Sequence, residues 1–203
     1  MVRVKICGIT NVGDALAAVR AGADALGFVF APSPRRVSPT RARKIIRAIG
    51  PWVASVGVFV NEKPQRVRKI AAFCGLTAVQ LHGDESADYA RKLAPLKVIK
   101  AFRVSKRADL RRVGHYDADA FLFDAKVEGS YGGTGKTFDW GILKRRALRK
   151  PVILSGGLHP GNVRQAVRTL RPYGVDVSSG VEKAPGKKDA VKVRTLIRRA
   201  KEN

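Results

Sequence analysis

One cysteine, one aspartate and two glycine-containing turns carry most of the chemistry this sequence offers. Cys7 and Asp124 each close an apolar run, the second being Ala120-Phe121-Leu122-Phe123. A thiolate acts as a base or nucleophile when nearby cations or a helix N-terminus pull its pKa below about 8.5. The other reading of Cys7 is inert packing, the common state of a buried cysteine. A carboxyl at an apolar strand end can have a raised pKa and serve as a general acid. For Asp124 the plainer alternative is a helix cap or an ion pair to Lys126. Ser155-Gly156-Gly157 and Ser178-Ser179-Gly180 each follow a further apolar run. Glycine lets the backbone approach an anion closely with its N–H groups aimed at it. Either turn alone reads equally well as a tight bend; two at neighbouring strand ends favour phosphate. A thiol, a carboxyl and a phosphate site, without a cofactor signature, suit proton transfer on a sugar phosphate.

Other combinations fail on spacing. His82, His115 and His159 lie far apart and no cysteine pair has zinc-ligand spacing, so neither a metal nor a cofactor is expected. No strand-end serine has an obvious histidine partner, so no Ser-His-Asp set is visible. Cys74 reads as packing near a helix end. Residues 132–137 resemble the end of a P-loop, but the first glycine of that motif would fall on Ser130. The stretch also begins several residues after its strand. It reads as a long, mobile active-site loop, with Trp140 more a loop anchor than a substrate contact, and nucleotide binding is not expected.

These residues need elements to position them. Eight short apolar runs occur, at 2–9, 25–30, 53–60, 78–81, 98–102, 120–123, 152–154 and 175–177. Most are continuous rather than alternating, the habit of parallel strands buried on both faces. Helical segments lie between them. Asn11 caps 12–21, Ser38-Pro39 opens a helix to 49, and Lys63-Pro64 opens another to 73. Segments 85–93 and 138–148 follow, His159-Pro160 opens a helix to 170, and 188–201 closes the chain. Segment 108–113 is weak and predicts one turn or an irregular piece. Eight strand–helix units in 203 residues predict a single-domain α/β fold over 1–203, a (β/α)8 TIM barrel with a short or irregular fifth helix. A doubly wound sheet is the rival, but it usually has five or six strands. Barrel chemistry sits at the C-terminal strand ends. Those positions hold Cys7, Arg35, Arg36, Asn61, Gln80, His82, Arg103, Asp124, residues 155–157 and residues 176–180.

Forty Lys and Arg against sixteen Asp and Glu give a net charge of +24. That charge raises the question of a nucleic-acid partner. With 45% hydrophobic residues the chain is globular rather than a disordered basic tail. The cations cluster in 41–47, 66–69, 111–112, 144–150, 164–171 and 187–201, which are the helices and their ends. They read as the solvated outer ring of a barrel, with a smaller share near its mouth. No apolar stretch is long enough to cross a membrane, no signal-peptide core opens the chain, and two cysteines make no disulfide framework. The default is a cytoplasmic protein with no membrane partner.

Lys5-Ile6-Cys7-Gly8-Ile9-Thr10, Val79-Gln80-Leu81-His82-Gly83 and GGTGKTFDW at 132–140 resemble the phosphoribosylanthranilate isomerase family. Ser155-Gly156-Gly157-Leu158 and DVSSGVE at 176–182 fit the same family, in order and over nearly the whole chain. The resemblance implies a small TIM barrel of tryptophan biosynthesis that performs an Amadori rearrangement. N-(5′-phosphoribosyl)anthranilate becomes 1-(2-carboxyphenylamino)-1-deoxyribulose 5-phosphate. It implies Cys7 as general base and Asp124 as general acid. Arg36 faces the anthranilate end by the same likeness, its alternative being one more surface cation. Asp176 helps there or orients its neighbours. The backbone N–H groups of Gly156, Gly157, Ser179 and Gly180 bind phosphate. Gln80 and His82 line the pocket, with packing as the alternative. The partner implied is a small anionic sugar phosphate and no specific nucleic acid, with the enzyme a monomer or homodimer.

Two competing readings follow. A related aminoaldose isomerase of the histidine pathway typically uses two aspartates, whereas the first strand here ends in Cys7. A basic nucleic-acid-binding barrel needs aromatic stacking residues on a basic face, yet aromatics are 7% and six of the eight phenylalanines sit in the strands.

Overall fold

Eight parallel strands close on themselves in sequence order in the computed structural model, which describes residues 1–125, 137, 139–144 and 149–202. They are β1 (Arg3–Cys7), β2 (Ala25–Val29), β3 (Ala54–Phe59), β4 (Ala78–Leu81), β5 (Lys97–Val104), β6 (Ala120–Ala125), β7 (Val152–Leu154) and β8 (Gly174–Val177). Closure is made by β8 on β1, where Arg3 to Ile6 pair with Gly174 to Val177. The expected barrel is present.

The helices between strands are α1 (Val12–Arg20), α2 (Pro39–Ile49), α3 (Pro64–Cys74), α4 (Ala87–Arg91), α5 (Gly141–Lys144), α6 (Val163–Leu170) and α7 (Ala190–Lys201). A 3₁₀ segment, Arg107–His115, stands after β5, where the sequence predicted something short or irregular. The caps at Asn11 and Ser38 form as their side chains require: Asn11 Oδ1 accepts from the Asp14 N–H at 2.8 Å and Ser38 Oγ from Arg41 at 3.2 Å. The buried stripe of α7, Val193, Leu196, Ile197 and Ala200, follows the i, i+3, i+4, i+7 spacing of one apolar face.

Four helix starts differ from expectation. The fourth helix is Ala87–Arg91, not 85–93, because the Glu85 carboxylate turns inward and accepts from Lys100 Nζ at 2.7 Å. Ser86 then caps the helix. The sixth helix begins at Val163 rather than Pro160, because Asn162 Oδ1 folds back to accept the His159 N–H at 2.9 Å and holds 159–162 as a turn. The last helix begins at Ala190 rather than Lys188. Asp189 Oδ1 caps it through the Val191 and Lys192 N–H groups, and Lys187–Lys188 instead pairs as β10 with β9 (Glu182–Ala184). The expected helix over 138–148 starts at Gly141, because Asp139 Oδ1 accepts the Gly141 N–H at 2.8 Å and holds 139–140 outside it; residues 138 and 145–148 and the P-loop-like stretch up to 136 lie outside the described residues.

Alternation along the strands divides the core in two. Ala120 and Leu122 cluster with Ala101, Ile153 and Ile99, while Phe121 and Phe123 belong to the larger core shared with the helices. Asp124 continues the parity of Ala120 and Leu122, so the same face of β6 goes from apolar to acidic at its C-terminal end.

Candidate active site

Polar side chains gather at that end of the barrel. Lys5 and Cys7 are two residues apart on β1 and share a face. An ideal Cβ built on Gly27 of β2 would fall 2.6 Å from Cys7 Sγ and 3.0 Å from Lys5 Nζ, so both atoms border one point in front of β2. Lys5 Nζ donates to Asp176 Oδ1 at 2.8 Å and to Gln80 Oε1 at 3.0 Å. Gln80 Nε2 lies 2.8 Å from His82 Nδ1, and His82 Nε2 lies 3.2 Å from Asp124 Oδ2. Asp124 Oδ1 accepts the Ala125 N–H at 2.9 Å. Cys7, Lys5, Gln80, His82, Asp124 and Asp176 are all buried. β1, β4, β6 and β8 thus contribute to one connected set that ends at Asp124, with Cys7 beside its Lys5 member.

Electrostatics act on the thiol from two sides. Burial pushes the Cys7 thiol above its ordinary value, and Asp176 adds to the rise, while Lys5 and Lys188 oppose both. For Lys5, burial disfavours the charge, but Asp176 and Cys7 outweigh it and the ammonium is held above its usual range. Burial lowers Lys188 despite its bond to Glu182 Oε1 at 2.8 Å. Glu182 also takes a two-pronged contact from Arg35, with Nη2 to Oε2 at 2.7 Å and Nε to Oε1 at 2.9 Å. The short hairpin after β8 is therefore tied to the loop after β2. Thr10 Oγ1 adds a bond to Gly186 O at 2.5 Å from the loop after β1.

The two glycine-containing loops meet. Gly156 and Gly157 have φ of +87° and +62°. A Cβ on Gly156 would sit 2.6 Å from Ala125 N and 3.0 Å from Asp124 Oδ1, so this loop presses against the end of β6. A Cβ on Gly180 would fall 1.9 Å from Leu158 O, so the backbone after β8 touches the backbone after β7. Ser179 and Gly180 lie in a single 3₁₀ turn, Ser179–Val181. Ser178 Oγ is buried with no partner among the described residues.

The remaining sequence candidates fall into place around this set. Arg36 is exposed in the loop after β2, where its residue bridges to Val29. Asn61 builds the loop after β3, its Oδ1 accepting the Asp84 N–H at 2.8 Å. Arg103 pairs with Asp84 at 2.8 Å. Trp140 packs partly buried against the main core, and Cys74 is buried there. Among the described residues, no group of three or more His, Cys, Asp or Glu is arranged to hold a metal ion, and no helix is long and apolar enough to cross a membrane.

Sequence reasoning missed two members, Lys5 and Lys188. Lys5 interrupts the apolar run of β1 two residues before Cys7, a signal that its charge points into the barrel. Lys188 gave none, since its neighbours read as one more basic helix.

An eight-stranded parallel barrel with its acids, thiol and glycine loops at the C-terminal strand ends defines a (β/α)8 barrel enzyme. The family model for N-(5′-phosphoribosyl)anthranilate (PRA) isomerase matches residues 4–199. The chain is 54% identical over 202 residues to the N-(5′-phosphoribosyl)anthranilate isomerase of Geobacter sulfurreducens, with 99% of each covered. The solved phosphoribosyl anthranilate isomerase of Thermotoga maritima superposes with a TM-score of 0.94 at 50% identity over 99% of both chains. A second solved phosphoribosyl anthranilate isomerase, in complex with reduced 1-(o-carboxyphenylamino)-1-deoxyribulose 5-phosphate, has a TM-score of 0.90 at 48% identity over 99% of both. The chain belongs to the N-(5′-phosphoribosyl)anthranilate isomerase family.

Proposed function

We propose that Asp124 and Cys7, as general acid and general base, carry out the family's isomerisation of N-(5′-phosphoribosyl)anthranilate in tryptophan biosynthesis. Asp124 gives its proton to the furanose ring oxygen as the C1′–O bond breaks. The anthranilate nitrogen supplies the electron pair, and the ring opens to a Schiff base. The Cys7 thiolate then removes the C2′ proton, and the electron pair moves to neutralise the nitrogen as an enolamine. Tautomerisation gives the ketose, 1-(2-carboxyphenylamino)-1-deoxyribulose 5-phosphate. Asp124 supplies the proton for ring opening and Cys7 accepts the one from C2′, and the isomerisation needs no oxidant or reductant.

The observation that carries this reading is the placement of a buried thiol and a buried carboxyl at the mouth of one barrel, joined through Lys5, Gln80 and His82. The backbone N–H groups of Gly156, Gly157, Ser179 and Gly180 hold the phosphate. Arg36 takes the anthranilate carboxylate, Asp176 fixes Lys5, and Gln80 and His82 line the pocket. The substrate is a small anionic sugar phosphate, and the enzyme works in the cytoplasm as a monomer or homodimer, one catalytic domain per chain.

Loss of substrate fluorescence on adding the enzyme, with indoleglycerol-phosphate synthase coupled to drain the ketose, tests the reaction. Cys7→Ala and Asp124→Ala are each expected to lower kcat by about 10²–10⁴-fold with an unchanged circular dichroism spectrum. Full activity in either variant refutes its role.

A further inference from the structure

The donor and acceptor inventory of Lys5, Gln80 and His82 fixes where one proton must sit. An ammonium has donors only, so Lys5 must face the amide oxygen of Gln80, as it does at 3.0 Å. The Gln80 NH2 group is then the end that faces His82 Nδ1 at 2.8 Å. Two donors cannot share that contact, so Nδ1 accepts. A neutral imidazole that accepts at Nδ1 carries its proton on Nε2. Nε2 lies 3.2 Å from Asp124 Oδ2 but off the direction of a hydrogen bond, and it has no directed partner among the described residues. A buried N–H donor therefore stands unspent beside the acid.

We propose that Gln80 is a positioning residue that locks His82 as its Nε2–H tautomer, so that a neutral donor faces Asp124 and the substrate oxygen that Asp124 protonates. The proposal deepens the acid–base reading above and rests on it. The lock is one-way because Lys5 is itself held by Asp176 at 2.8 Å. Flipping the Gln80 amide would set its NH2 group against the ammonium. The direction matters when Asp124 gives up its proton. The carboxylate left behind, and the new hydroxyl on the opened sugar, meet an N–H donor. The other tautomer would present a nitrogen lone pair to the carboxylate and repel it. His82 neither gains nor loses a proton in this scheme.

Nitrogen-15 spectra of the imidazole groups read the tautomer without reference to activity. The chain has three histidines, and loss of one signal set in His82→Gln assigns the one of interest. The wild-type enzyme is expected to show a protonated Nε2 and a bare Nδ1 at the pH of the activity assay. A protonated Nδ1 overturns the proposal. Gln80→Glu places an acceptor where the NH2 group was, so Nδ1 is expected to become protonated. That variant should lose roughly 10–100-fold in kcat, as outer partners of working groups commonly do. The loss should fall on kcat more than on KM, since the Nε2–H donor is called on as Asp124 gives up its proton. Wild-type kcat in Gln80→Glu, or a rise confined to KM, overturns the positioning role. If that variant does not fold, the wild-type spectrum still decides. Full activity of Asp124→Ala would instead defeat the acid assignment, a result separable from the tautomer measurement.

Discussion

Lys5 stands opposite Asp176 in the register that closes the barrel, and Lys5 Nζ lies 2.8 Å from Asp176 Oδ1 with both side chains 5% exposed. The seam between the first and last strands is thus crossed by a buried ion pair. Removing one partner leaves the other charge without compensation in a low-dielectric interior. Lys5→Met is expected to destabilise the fold by about 3–5 kcal/mol. Adding Asp176→Leu to Lys5→Met is expected to recover part of that loss, because the orphaned charge is gone. Urea unfolding of the two variants and the wild type measures both effects, and a Lys5→Met chain of wild-type stability refutes the account.

The same lysine and Lys188 both act on the Cys7 thiol. Burial raises the Cys7 pKa, and the two ammonium groups limit the rise. In its proposed role as general base Cys7 must be deprotonated to act, so kcat/KM is expected to climb with pH through a thiol pKa above the ordinary value of about 8.5. Lys188→Met removes one of the opposing cations and leaves Glu182 its contact to Arg35. The rising limb should then move to higher pH. Thiolate ultraviolet absorbance of Cys7 gives the same shift independently of turnover, and movement to lower pH contradicts the assignment.

Glu182 carries a consequence for stability in acid. Burial alone would raise its pKa, but hydrogen bonds from Arg35 and Lys188 outweigh that and hold it below the ordinary glutamate range. As pH falls, the unfolded chain therefore takes up this proton first. The stabilisation is present above the ordinary glutamate range and is lost as pH falls through the folded value. Glu182→Gln is expected to flatten the acid limb of stability against pH while also loosening the hairpin after β8. Thermal unfolding followed between neutral pH and mild acid checks this, and an unchanged slope argues against it.

Much of this molecule was legible because its signals are local. Val, Ile and Phe runs gave all eight strands, and Asn11, Ser38 and Pro39 gave two helix starts directly. Cys7, Asp124 and the two glycine turns were found by reading only strand ends. The misplaced boundaries are those set by distant partners. Glu85 leaves its expected helix because Lys100 of β5 takes its carboxylate. Lys188 leaves its expected helix because Glu182 and Ser178 O, the latter at 3.2 Å, hold its ammonium inward. Charge, the loudest compositional signal, was the least informative about the site. Exposed residues such as Arg41, Lys44, Arg66, Lys69 and Arg194 carry it on the helices, whereas Lys5, Lys100 and Lys188 are buried. Counting cations cannot distinguish the two groups.

The contact between the two glycine loops yields the last prediction. A methyl group on Gly180 would fall 1.9 Å from Leu158 O, 2.9 Å from Leu158 C and 3.1 Å from His159 Cα. All three are backbone atoms, so no side chain can swing away and one loop must move. Gly180→Ala is expected to cost about 1–3 kcal/mol, as overpacking does. On the proposal that these two loops hold the phosphate, they shift together and the KM for substrate should rise more than kcat falls. Gly75 provides the contrast. It ends α3 in the left-handed region at φ +71°, with open space where its Cβ would be. Gly75→Ala is expected to lower stability by about 1 kcal/mol through backbone strain and leave KM unchanged. Equal KM values for the two variants would show that the approach of Gly180 to Leu158 serves packing rather than the phosphate site.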